Sequence, residues 1–158
     1  MLVTAFGIGV YRSAGGNRAA RIVGGLILAY ASLGLLWPFA AMHQREVLAA
    51  GGGTLSNTPH VVLGAVTVFL MFLAIRFGAA AFGKRFRLYS IASIVVLLAF
   101  GGLTFLEAPS MQANLQTPRI GLWERINITV FLLWVVALAT ALWRTPTAQG
   151  EIATGGAS

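Results

Sequence analysis

The side chains able to move a proton or hold an ion gather around two polar stretches of this sequence. His43, Arg45, Glu46 and His60 belong to the first; Glu107, Arg119, Glu124, Arg125 and Asn127 belong to the second. His43 and His60 could share a metal ion through their imidazoles or act as acid and base. Their separation of 17 residues matches no compact ligand motif, so no metal site and no cofactor is expected. Glu124 and Asn127 are three residues apart and would share a helix face, with Glu107 available from the preceding segment. Two carboxylates crowded together could exchange a proton, because like charges raise one of the two pKa values. The structural alternative pairs Glu124 with Arg45 or Arg119, which reduces the penalty of a charge near lipid, and lets Arg125 snorkel to headgroups. No catalytic role is assigned to any of the nine.

What must position these residues is set by composition. Hydrophobic residues make up 58% of 158 positions and charged residues 9%, against roughly 25% charged in an average soluble domain. Four apolar runs, about Ile22 to Ala40, Val61 to Phe82, Leu88 to Leu106 and Ile120 to Trp143, have the roughly 20 residues needed to cross a bilayer. Backbone groups in lipid must be satisfied within the segment, and runs such as Ile94 to Leu98 are continuous rather than alternating, so helices are expected. The fold class is therefore all-α: a transmembrane bundle of four full-length helices with a short apolar N-terminal segment. Met1 to Tyr11 has only about half a span's length, and its basic residues follow the apolar run rather than precede it, which argues against a signal peptide. Residues 1–144 form one membrane domain, and 145–158 a flexible cytoplasmic tail.

Arg12, Arg18, Arg21, Arg76, Lys84, Arg85, Arg87 and Arg144 fall on one side when the runs are threaded as spans, while Glu46, Glu107 and Glu124 fall on the other. The positive-inside rule then puts the 81–87 loop and the C-terminus in the cytoplasm, and the 41–58 and 107–117 loops outside, in a multi-pass protein of the plasma membrane. Arg76 sits within an apolar run, from which its long stem can reach the headgroups. The net charge of +7 is split among short junctions rather than gathered in one groove, so nucleic acid is not an expected partner. Membrane lipids are. With no cysteine, disulfides and thiolate chemistry are excluded.

The same two residues, Thr-Pro, open both outer helix starts, at Thr58-Pro59 and Thr117-Pro118. Threonine can cap free amides, and proline in the first turn loses no bond it would otherwise make. Trp37, Trp123 and Trp143 fall at expected interfaces, whereas Trp134 lies inside its span. Gly24, Gly25, Gly34, Gly101 and Gly102 would permit close helix approach. Interior polar residues such as Ser32, Thr67, Ser93, Thr104 and Thr129 are a sparse set for a polar path through the bilayer.

The runs WPFAAMHQREVLAAGGGTLSNTPHVVLG and TPRIGLWERINI resemble the family of bacterial and archaeal polytopic membrane proteins called domain of unknown function 998, over roughly Met1 to Arg144. About six spans are usual in that family. The resemblance thus implies that Met1 to Tyr11 is the cytoplasmic end of an earlier helix, and that the chain is a shortened member or a fragment. Members often carry an aspartate just before the histidine of the second motif. Ser56, Asn57 and Thr58 stand there ahead of His60, which removes a carboxylate from any metal site or proton relay built on it. The family has no assigned activity, so the resemblance implies a fold and no chemistry.

The leading functional expectation is a noncatalytic scaffold or interaction protein, with a helix partner or a second copy of the chain as candidate partners. One alternative is a binder or transporter of a small anionic or lipid-like ligand at the outer face, where helix N-termini lie beside His60 and Arg119. The other is a membrane-embedded enzyme acting on a lipid-linked substrate.

Overall fold

The computed structural model describes residues 1–40, 57–112 and 117–144. Within them the chain is helical: α1 (Leu2–Ser13), α2 (Arg18–Leu33), a 3-10 turn at Trp37–Phe39, α3 (Asn57–Ala81), α4 (Lys84–Gln112) and α5 (Ile120–Trp143). Among the described residues four stretches are long and apolar enough to cross a membrane: Arg18–Phe39, Pro59–Ala81, Lys84–Glu107 and Ile120–Trp143, with mean hydropathy from 1.8 to 2.3. At most 28% of any of them is buried inside the molecule. Large apolar side chains such as Phe69, Val95, Phe105, Leu133 and Val136 point outward instead. Hydrocarbon solvates that surface and water does not, so the chain is a multi-pass membrane protein.

The helices pack in chain order, each against the next, and α3 also touches α5. Tyr30 on α2 reaches Phe131 on α5, with ring centroids 5.0 Å apart. One continuous core results, built from Val10 of α1, Val23 and Ile27 of α2, Met71, Ala74 and Ile75 of α3, Leu97 of α4, and Phe131, Trp134 and Leu138 of α5.

Twelve residues make α1 about 18 Å long, short of a full crossing. It lies antiparallel on α2 because glycine lets the backbones close: a Cβ at Gly24 would stand 2.6 Å from the Tyr11 amide nitrogen. The other glycines expected at contacts behave differently. Gly25 and Gly102 have nothing within 4 Å of where a Cβ would lie, Gly34 faces only its own helix, and Gly101 faces the Asn127 amide at 3.6 Å.

Asn17 organises the end of the bundle where α1 stops and α2 begins. Its side-chain oxygen caps α2 by accepting from the Ala20 amide at 3.0 Å. Its side-chain nitrogen donates to the Ala81 carbonyl at the last residue of α3, at 2.8 Å. The α1–α2 turn is thereby tied to the α3–α4 turn, and Arg12, Arg18, Arg21, Lys84, Arg85 and Arg87 are all exposed there. Arg144 closes α5 at this same basic end. Arg76 is also exposed, about one and a half turns inward of Ala81.

The opposite, far end departs from the apolar runs in two places. Thr117 and Pro118 precede α5 rather than start it, and Arg119 is its N-cap, with no side-chain cap bond. α4 continues past Leu106, through Pro109, to Gln112. The extension carries Glu107 on a helical turn facing α5, where a hydrogen bond from Trp123 holds it.

Candidate functional site

His43, Arg45 and Glu46 lie outside the described residues. The other six candidates all lie at or near the far end, but on two separate helix pairs, and no hydrogen bond among the described residues joins any two of them.

The α2–α3 pair holds His60. The 3-10 turn after α2 brings the Ala40 carbonyl to His60 Nδ1 at 2.8 Å. A carbonyl can only accept, so Nδ1 carries the hydrogen and Nε2 is the acceptor of the neutral ring. Trp37 meets the imidazole edge-on, with centroids 5.1 Å apart. Half-buried and bonded on one side, His60 fastens the end of α2 to the start of α3.

The α4–α5 pair holds the rest. Trp123 Nε1 donates to Glu107 Oε1 at 3.3 Å, and its ring lies 5.3 Å from that of Phe100, seven residues before Glu107 on the same face of α4. The second oxygen, Oε2, is buried with no hydrogen-bond partner among the described residues. Asn127 is 5% exposed. With its amide oriented to satisfy both contacts, its nitrogen donates to the Leu97 carbonyl at 3.2 Å and its oxygen accepts from the Gly101 amide at 3.1 Å. It therefore clamps one turn of the α4 backbone. Glu124 and Asn127, read as one polar face, divide here: Asn127 turns into the bundle, while Glu124 is exposed, as are Arg119 and Arg125. Glu124 forms no ion pair among the described residues.

These arrangements limit the available chemistry. Among the described residues no group of three or more His, Cys, Asp or Glu is placed to hold a metal ion. The interior hydroxyls are largely committed to their own helices. Ser32, Thr67, Ser93 and Thr104 each donate to the carbonyl four residues back, at 2.7 to 3.0 Å.

Trp134 was expected inside its span, but its two partners, Ser90 and Gly78, were not expected. Trp134, fully buried, donates its indole hydrogen to Ser90 Oγ at 2.9 Å, and a Cβ at Gly78 would strike the indole ring. Phe86 and Phe131 complete the wall around it, at 5.8 and 6.0 Å between centroids. A sequence signal existed for Ser90. An indole placed mid-span needs an acceptor, and a serine one and a half turns into the neighbouring helix can supply one.

No curated protein and no solved structure matches this chain. Residues 1–141 match the family model described as "Protein of unknown function (DUF998)".

Proposed function

The chain belongs to the DUF998 family, and we propose a noncatalytic role for it, as a scaffold or interaction protein of the plasma membrane. The observation that supports this reading is the use made of the far-end polar groups. His60, Glu107 and Asn127 each bond across a helix joint and not to one another. General acid–base work needs its groups to converge on one proton within about 3 Å or through one water. The positive-inside rule favours the basic end in the cytoplasm and the far end outside.

The test is a turnover screen of the full chain in liposomes against lipid and small-metabolite substrates. No substrate-dependent signal above empty liposomes is expected. A reproducible turnover abolished by E107Q or E124Q would replace this reading with an enzymatic one on a lipid-linked substrate.

A second reading, binding of a small lipid-like ligand at the far end, draws on Glu107. A carboxylate oxygen that is buried and unpartnered among the described residues calls for a hydrogen-bond donor beyond them, a place that a lipid headgroup can take. Saturable retention of a lipid with a donor headgroup by wild type, lost in E107Q, is the result this reading requires.

A further inference from the structure

The basic end carries a hollow beside its exposed arginines. Tyr11, Gly16, Arg18, Arg21, Ile22 and Gly25 line this open hollow of about 580 Å³ beside the α1–α2 turn. Arg18 and Arg21 are exposed in its lining, and Ile22 and Gly25 are its apolar part. Arg21 is held in place from two sides: its Nη2 donates to the Gly15 carbonyl at 2.7 Å, and its guanidinium carbon lies 5.9 Å from the centre of the Tyr11 ring. Gly15 presents that carbonyl from a left-handed backbone conformation, φ 51°. The turn itself is anchored to α3 through Asn17 and Ala81. A guanidinium has five N–H donors, so one bond to Gly15 leaves most of the fork for another acceptor.

No carboxylate among the described residues supplies that acceptor. The chain's four acids are Glu46, Glu107, Glu124 and Glu151. Glu107 and Glu124 stand at the far end, and the other two lie outside the described residues. Arg12, Arg18, Arg21, Lys84, Arg85 and Arg87 thus share one end of the bundle without an acid among the described residues there.

We propose that the hollow at the α1–α2 turn is a binding site for the phosphate headgroup of an anionic phospholipid, gripped by Arg21 and Arg18. A phosphodiester offers the paired oxygens that a guanidinium fork matches. The apolar part of the lining decides between a lipid and a free anion. Ile22 and Gly25 continue from the hollow along α2 toward the hydrocarbon, and Gly25 leaves open space where a side chain would stand. That strip accommodates the start of an acyl chain, which inorganic phosphate lacks.

Native mass spectrometry of the full chain in detergent, titrated with phosphatidylglycerol or phosphatidylcholine, tests the site. Wild type should retain one phosphatidylglycerol in preference to phosphatidylcholine. R18Q/R21Q should weaken that retention by about tenfold or more, whereas R85Q/R87Q, with the same change in net charge at the same end, should stay within about threefold. Gly25→Leu fills the open space along the apolar lining without altering charge and should also reduce retention; its unfolding temperature, matched to wild type, separates loss of the site from loss of the fold. Equal weakening by the two arginine pairs would mean diffuse attraction and overturn the proposal. So would retention unaffected by R18Q/R21Q or by Gly25→Leu. Displacement of the lipid by millimolar inorganic phosphate would overturn the lipid assignment in favour of a free-anion site.

Discussion

The indole of Trp134 on α5 donates to the hydroxyl of Ser90 on α4 at 2.9 Å, and both side chains have zero exposure. In a core with so few polar atoms this bond fixes the rotation of α5 against α4. S90A should lower stability by about 1 kcal/mol, in the range of interhelical hydrogen bonds in membrane proteins. The same substitution in a W134F background should cost markedly less. Unfolding curves in mixed micelles for the four variants measure the coupling, and strict additivity would show that the bond contributes nothing.

Gly78 sets the space for the same indole from the α3 side. A methyl group at this position collides with the ring, so G78A should destabilise by about 1–3 kcal/mol, as overpacking does in cores. W134F removes the colliding edge and should recover at least half of that loss. Thermal unfolding followed by circular dichroism tests the rescue; a double variant less stable than G78A alone would contradict the close contact.

At the far end, the link from His60 to Ala40 and Trp37 holds the turn after α2. In H60A the amides of Phe39 and Ala40, which bond within that turn to Leu36 and Trp37, should exchange with deuterium about tenfold faster, the equivalent of about 1.4 kcal/mol in local opening. Exchange around Trp134 should not change. Unaltered protection at residues 39–40 would remove His60 from its joining role.

The chain has no cysteine, so single engineered thiols report topology without background. S13C at the basic end and R119C at the far end should label from opposite faces of the membrane, with S13C reached only from the cytoplasm. Labelling of both from one face would defeat the threading, and labelling of S13C from outside would reverse the orientation.

The four spans were legible because span length is a property of the apolar run alone, set by bilayer thickness. Their mutual rotation was not. Helices apolar on every face show no stripe that distinguishes a neighbour from lipid, since both are equally apolar. Val61 and Leu63 look alike in sequence, yet one is exposed and the other buried. The candidate site was legible as a list of polar residues and not as an arrangement. Asn127 and Glu124, three apart, diverge because the residue's angle around α5 decides whether it meets α4 or the surroundings. Gly24 was read correctly as a contact and Gly25 was not, for the same reason: adjacent positions lie about 100° apart on a helix. Gly78 drew no attention because its partner is 56 residues away.

The placement of the tryptophans makes the molecule its own optical probe. Trp134 has zero exposure and a fixed hydrogen bond, whereas Trp143 at the basic end is 92% exposed, and Trp37 and Trp123 stand half-buried at the far end. A quencher dissolved in the acyl region and one confined to water therefore reach different members of the set. The fluorescence that survives both comes from Trp134, and so reports how tightly α3, α4 and α5 are closed around it.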